Sequence, residues 1–197
     1  MKKLNLNKKG FTLIELLAVI VILALLVAVA VPAVTRYLNT ARAGVFANDA
    51  ATAISAVRNE VMASNVLTSA TSDSAMYIEL NEINKLIESS KQMYKSSYGP
   101  YYTGSCNEGD YTNEKDCIAA GKKWTSNSYV KVNYDASEGT YSYCIYLTDG
   151  LHYIDQNEEN VVSENVSTKE STSKECNNSG TNIKKYKVGN FGLEVDG

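Results

Sequence analysis

The feature that most constrains this chain is an apolar run close to its N-terminus. Leu16 to Val31 are sixteen consecutive residues without a polar side chain, and only Thr12, Glu15 and Pro32 interrupt the longer segment Phe11 to Val34. As a helix, these 24 residues would reach about 36 Å, at about 1.5 Å per residue. The hydrocarbon core of a bilayer is about 30 Å thick, so the sequence predicts a membrane-spanning helix.

The distribution of cationic residues predicts the orientation of this helix. Arg36 and Arg42 follow it sparsely, whereas a cluster of lysines precedes it: Lys2, Lys3, Lys8 and Lys9. Because positive charge is retained on the cytoplasmic side of a membrane, we expect the N-terminus in the cytoplasm. Everything after Asn39 is then expected to be exported.

Glu15 separates three interpretations of the segment. The small residues of Ala28-Val29-Ala30 are typical of a site for an ordinary signal peptidase, and a plain single-span anchor is also compatible with the length. An acid inside a membrane helix is costly, however, and is usually retained for a partner. Neither the signal peptide nor the plain anchor explains it.

The residues before the run carry a family resemblance. Lys8-Lys9-Gly10-Phe11-Thr12-Leu13-Ile14-Glu15, followed directly by the apolar run, resembles the class III signal of type IV pilins and pseudopilins. The resemblance implies that prepilin peptidase removes residues 1–10 by cutting between Gly10 and Phe11, and that the new amine of Phe11 is methylated. The helix is retained, and Glu15 is implied to meet the N-terminal amine of a neighbouring subunit during assembly.

Pro32 also matches the family pattern. Proline has no amide hydrogen and clashes with the carbonyl group four residues earlier in a helix. We therefore expect a kink or a locally melted stretch near residues 28–32.

Removal of the leader makes the remaining chain more acidic. The whole chain carries a formal charge of -3, and loss of four leader lysines gives -3 - 4 = -7 for residues 11–197. Duplex DNA normally requires a basic surface, so no sequence-specific nucleic-acid partner is expected. About 160 residues follow the membrane segment, which suits one globular domain.

The periodicity predicts an α+β fold with four regions after the leader. Residues 11–34 form the membrane and assembly helix, and 35–65 the amphipathic half of the same helix. Residues 66–128 form a variable connecting region with a second helix of about 20 residues from Met76, ending before Gly99-Pro100. A tyrosine patch in this region has two interpretations, a binding surface and packing beneath a loop, of which we favour packing: Tyr94, Tyr98, Tyr101 and Tyr102.

The last region, 129–197, is predicted to form a small antiparallel sheet with a C-terminal disulfide loop. Residues 129–134, 140–147 and 151–155 are predicted to form three antiparallel strands, with edge strands at 183–188 and 191–195. The intervening stretch, 156–182, is almost wholly polar and predicts an exposed loop.

All four cysteines follow the predicted membrane helix and favour two disulfides, for which three pairings are possible. Of these we favour Cys106 with Cys117 and Cys144 with Cys176, the second of which resembles the C-terminal disulfide loop of many pilins. Zinc is the rival interpretation, but the chain has no C-x-x-C spacing and one histidine, His152. We therefore expect no metal site, and the acidic stretch 107–116 is expected to be a solvated loop rather than a calcium site.

No catalytic motif is visible, so neither an enzyme nor a cofactor is expected. The resemblance implies a structural subunit of a type IV pilus that serves adhesion, motility or aggregation. It would be stored in the cytoplasmic membrane and polymerised with itself and other pilins into a helical surface filament, with an assembly platform and its ATPase. The alternatives are a type II secretion or competence pseudopilin, and a minor or tip adhesive pilin.

Overall fold

The computed structural model describes residues 10–64, 75–87, 104–111, 114–135, 137–169, 176, 183–190 and 192–196. The α-helices are α1 (Leu13–Ser64), α2 (Leu80–Leu86) and α3 (Glu114–Ala119). The strands are β1 (Ala75–Glu79), β2 (Gly104–Cys106), β3 (Trp124–Ser126), β4 (Tyr129–Asp135), β5 (Thr140–Thr148), β6 (Tyr153–Asn157), β7 (Ile183–Gly189) and β8 (Gly192–Val195). Two compact units, Met1–Ala41 and Arg42–Gly197, are described separately below.

Within the C-terminal unit, α1 contributes one apolar face to the core. Its buried side chains recur every three or four residues, as an amphipathic helix requires: Phe46, Ala47, Ala50, Ala53, Ile54, Val57 and Val61. They pack in one cluster with side chains from the sheet, including Val130, Ile145 and Ile154. The predicted α+β architecture, a long N-terminal helix packed on a mostly antiparallel sheet as in pilins, is confirmed.

The main sheet has six strands in the order β6-β5-β4-β1-β7-β8. The β1–β7 pair is parallel, and the other neighbouring strands are antiparallel. A separate two-stranded sheet pairs β2 with β3. The six-stranded sheet therefore takes one of its inner strands, β1, from residues that precede position 129.

The prediction of a second helix of about 20 residues that includes Met76 is wrong at its start, and only residues 80–86 of its described part are helical. Residues 75–79 form strand β1, and the helix that follows, α2, has seven residues. Met76 and Leu80 are four residues apart, a spacing that fits both a helical turn and alternate positions of a strand. Backbone pairing with β4 on one side and β7 on the other favours the strand. The later part of the predicted helix and the tyrosine patch lie outside the described residues.

The strands predicted at 129–134 and 140–147 are confirmed as β4 and β5. The strand predicted at 151–155 begins two residues later, because Leu151 and His152 belong to the preceding turn. The side chain of Asp149 accepts hydrogen bonds from both of their amides, at 2.9 and 2.7 Å. Gly150 adopts a φ of 89°, which favours glycine.

Of the two strands predicted to lie at an edge of the sheet, only the second does so. Strand β8 does lie at an edge of the sheet, but β7 is an inner strand between β1 and β8. The lysine side chain at 185 pairs across the sheet with the buried Glu79, at 2.6 Å.

The prediction that 156–182 is wholly an exposed loop is also wrong in its first part. Strand β6 extends to Asn157, and two short 3-10 helices follow, Glu158–Asn160 and Ser163–Asn165. Val161 and Val166 pack against the core, Glu158 forms an ion pair with Arg58, and Ser167 pairs with Tyr153, so the first part of this polar stretch is held to the domain. Of the remaining residues the structure describes 167–169 and Cys176, which is fully buried.

Asp196 gives a pH-dependent contribution to stability. The hydrogen bond from the Lys123 ammonium group, at 3.0 Å, lowers the pKa of the Asp196 carboxyl. A lowered pKa in the folded state contributes stability that is present above the unfolded pKa, about 3.9, and is lost as the pH falls through the folded value. We expect Asp196→Asn to reduce the free energy of unfolding at pH 7 by under about 1 kcal/mol. Urea titrations should show that this difference disappears as the pH falls through the folded pKa of Asp196, whereas a constant difference at every pH would contradict the assignment.

Candidate functional site

The described residues of the predicted cleavage and assembly motif, 10–15, lie at the N-terminal end of α1, which begins at Leu13. Thr12 precedes the first helical residue, and its amide and its hydroxyl both donate to Oε2 of Glu15, each at 2.8 Å. The Glu15 amide donates in return to the Thr12 hydroxyl oxygen at 3.3 Å. This reciprocal arrangement is a capping box, which satisfies amide groups that have no partner inside the helix.

The capping box gives Glu15 a role within its own chain, which the sequence interpretation missed. The signal was readable, because Thr12-Leu13-Ile14-Glu15 has the spacing of a capping box before an apolar run. Both contacts to the carboxylate are made through Oε2. A carboxylate has two oxygen atoms and room for several donors, so this arrangement is compatible with a further cationic partner at Oε1.

Beyond the motif, α1 presents an apolar surface throughout the N-terminal unit. Phe11 is 91% exposed, and the side chains from Leu13 to Val34 are exposed as well. Among the described residues, α1 is the one helix long and apolar enough to cross a membrane, and its apolar window is not buried. An apolar surface of this size requires lipid or another protein surface to cover it in water.

Pro32 lies inside α1 and does not interrupt the helix. Residues 28–32 are helical in this chain, so the expected local melting is not present in this state. Proline still leaves the carbonyl of Ala28 without its usual helical donor. One turn beyond, the Thr35 hydroxyl donates to the Val31 carbonyl at 2.9 Å. A kink at Pro32 stays a prediction.

The four candidate cysteines are paired by two disulfides in the C-terminal unit. Cys106 of β2 is joined to Cys117 of α3, and Cys144 of β5 is joined to Cys176. These are the two pairs that the sequence interpretation favoured among the three possible pairings. The first disulfide closes the connection between the paired strands β2 and β3, and the second joins β5 to a residue outside the β5–β6 hairpin.

The side chains that suggested metal binding have other partners. The ligand atoms of Cys144, Asp155 and Cys176 lie within 4.8 Å of one another, but both sulfur atoms belong to the disulfide. Disulfide sulfur is a poor substitute for the thiolate that binds metals. His152 contacts Asp149 through Nδ1 at 3.3 Å, and Glu108 of the acidic stretch forms an ion pair with Lys122.

Comparison with known proteins is informative for the N-terminal segment. A family model described as the prokaryotic N-terminal methylation motif matches residues 5–31, the class III signal motif of type IV pilins, so the resemblance is confirmed over this range. No curated protein and no solved structure matches the chain at a significant level. The motif supports a membrane-anchored precursor of the type IV pilin or pseudopilin type, which implies a structural role, processing by prepilin peptidase and assembly with other pilins.

Proposed function

We propose that this protein is a structural subunit of a type IV pilus. Prepilin peptidase cuts between Gly10 and Phe11, the new amine of Phe11 is methylated, and the mature chain is stored in the cytoplasmic membrane. An assembly platform and its ATPase then polymerise it, with other pilins, into a surface filament for adhesion, motility or aggregation. The observation that carries the proposal is the match to the methylation motif at the start of an exposed apolar helix.

The exposed surface of α1 supports a non-enzymatic mechanism of assembly. In the membrane, lipid covers the apolar side chains of residues 13–34. In a filament the same side chains are covered by helices of neighbouring subunits, and the apolar area that is kept from water gives cohesion. Head-to-tail contacts that do not close into a ring generate a helical fibre, so one repeated contact is sufficient.

Glu15 supplies the polar part of this contact in the proposal. Cleavage after Gly10 creates a positively charged amine at Phe11, one residue before the helix cap. A charge in a low-dielectric environment is strongly attracted to an opposite charge and is costly without one. The Glu15 carboxylate of one subunit and the Phe11 amine of its neighbour therefore compensate each other, while Thr12 keeps the carboxylate at the helix start.

The test is mass spectrometry of the N-terminus of the surface-exposed protein. We expect a chain that begins at Phe11 with a methylated amine. A surface form that begins at Val31, after cleavage by an ordinary signal peptidase, would exclude the proposal, and so would a form that retains residues 1–10.

Gly10→Val is a suitable control for this experiment. A Cβ atom at Gly10 meets nothing within 4 Å, so the substitution should leave the folded structure intact. We expect this variant to retain its leader and to stay in the membrane. Processing equal to that of the wild type would show that the cut does not depend on Gly10.

The same motif fits a pseudopilin of type II secretion or competence, and a minor or tip pilin. Abundance separates these from the main proposal. A major pilin dominates the protein of sheared surface filaments, whereas a minor or tip subunit is a trace component. A pseudopilin is retained with the cell envelope when filaments are sheared off.

A further inference from the structure

The buried residue Cys176 is held by its main chain as well as by its disulfide. Its amide donates to Oδ1 of Asp155 at 2.8 Å, and its carbonyl oxygen accepts from the Tyr129 hydroxyl at 2.8 Å. The sulfur is bonded to Cys144 and lies 3.2 Å from the Ile145 carbonyl oxygen. Both hydrogen-bonding groups of the Cys176 backbone are thus satisfied by side chains from the sheet.

The register of the sheet explains why these side chains converge. Tyr129 of β4 and Asp155 of β6 are both paired with Tyr146 of β5, one from each side. Cys144 is two residues from Tyr146 on the same strand and therefore lies on the same face of the sheet. Tyr129 and Asp155 flank the strand that carries Cys144, and they contact Cys176 from its two sides.

The chemistry of the two side chains suits this arrangement. Asp155 is 5% exposed, and a buried carboxylate is costly unless it accepts hydrogen bonds. Burial, together with the nearby charge of Asp155, raises the pKa of the Tyr129 hydroxyl to about 12. The hydroxyl therefore remains a donor throughout the physiological pH range, and its contact with the Cys176 carbonyl does not depend on pH there.

We propose that Asp155 and Tyr129 form a clamp that places Cys176 against Cys144 before the disulfide forms, so that the Cys144–Cys176 pair is made in preference to crossed pairs. The clamp contacts the main chain of Cys176 and not its sulfur, so the same contacts are available to the dithiol form. Cys144 and Cys176 are 32 residues apart, and closing a loop of this length has an entropic cost. The clamp reduces that cost by raising the local concentration of one thiol near the other.

The covalent step requires an external disulfide as oxidant, such as oxidised glutathione or a disulfide-bonded oxidoreductase. One thiolate attacks the external disulfide, whose bond breaks, and a mixed disulfide forms. The second thiolate then displaces the carrier sulfur. The protein loses two protons and two electrons in total, and the external disulfide becomes two thiols. Asp155 and Tyr129 are positioning residues in this step and do not exchange electrons.

Oxidative refolding of the full-length chain in detergent micelles tests the clamp. Reduced protein is placed in a glutathione redox buffer, samples are alkylated at intervals, and each disulfide is quantified by mass spectrometry. We expect Asp155→Ala, which removes the acceptor, and Tyr129→Phe, which removes the donor, each to slow formation of the Cys144–Cys176 bond roughly 3- to 10-fold, the loss corresponding to one hydrogen bond. Crossed pairs should increase in the same samples.

The Cys106–Cys117 disulfide serves as an internal reference for the rate of oxidation, and Tyr153→Phe serves as a matched control variant. The rate of the Cys106–Cys117 bond should stay within a factor of about two in both variants, because the clamp does not contact it. Tyr153→Phe removes a hydroxyl from the same strand as Asp155, where it donates to the Gly150 carbonyl at 3.1 Å, and should have no effect on either rate.

Three results would overturn the proposal. They are unchanged Cys144–Cys176 rates in both clamp variants, equal slowing of both disulfides, and equal slowing by Tyr153→Phe. Tyr129→Phe removes one oxygen atom and is the milder change, so its rate decides the test if Asp155→Ala does not fold. Fluorescence of the single tryptophan, Trp124, which is buried, reports whether each variant has folded. None of these outcomes depends on filament assembly.

Discussion

Glu15→Ala is expected to leave a cleaved protein that accumulates in the membrane while the yield of filaments falls roughly tenfold or more. Without the Glu15 carboxylate, the positively charged amine of Phe11 has no opposite charge beside it when the helices of neighbouring subunits pack together. Comparison of the protein in sheared filaments with the protein in the membrane fraction, in the same cells, measures the effect. A normal filament yield from this variant would contradict the proposed contact.

Two further variants separate the charge of Glu15 from its part in the capping box. Glu15→Gln retains an oxygen that can accept from Thr12 but removes the charge, so it should assemble as poorly as Glu15→Ala. Thr12→Val removes the hydroxyl contacts with Glu15 but retains the charge, so its yield should be intermediate. If Thr12→Val were as defective as Glu15→Ala, helix capping rather than charge would explain the loss.

Phe46→Ala is expected to reduce the free energy of unfolding of the C-terminal unit by about 3–5 kcal/mol. Phe46 is fully buried and is among the largest buried side chains of the core. Its removal loses apolar burial and leaves a cavity that the close-packed helix and sheet can fill only in part. Because a domain of this size is stable by about 5–15 kcal/mol, the loss is a large share of the total. Denaturant titration monitored by Trp124 fluorescence measures it.

Val45→Ala is the matched control for this prediction. Val45 is the preceding residue of the same helix, and its side chain is 49% exposed. Truncation there removes little buried surface, so we expect a change within about 0.5 kcal/mol. Equal effects at the two positions would show that the face of α1 assigned to the core is wrong.

Several elements were predictable because their signals are local. The methylation motif depends on a few adjacent residues, and the helix on the length and period of its apolar residues. Strands β4 and β5 alternate clearly and are joined by a short turn, so neither required information from elsewhere in the chain. The capping box of Thr12 and Glu15 belongs to the same class, although the sequence interpretation did not use it.

Other elements could not be found in this way because their partners are distant in sequence. Residues 75–79 have a spacing compatible with helix and strand, and the backbone of β4 and β7 decides between them. Val161 and Val166 lie in a mostly polar stretch, and their contact with the core is visible only after folding. Tyr129 and Asp155 are separated from Cys176 by 47 and 21 residues, so nothing in the local pattern links them.

The amino-acid sequence by itself determined the apolar helix, its N-terminal motif and the acid near its start, because each depends on residues within a few turns of one another. Two disulfides were expected from the number of cysteines, with three pairings left open. Only the tertiary structure decided which strands are inner strands, that β1 and β7 run parallel, and that two side chains of the sheet hold the backbone of Cys176. The physical reason is that hydrogen-bond and packing partners far apart in sequence are selected by the whole fold.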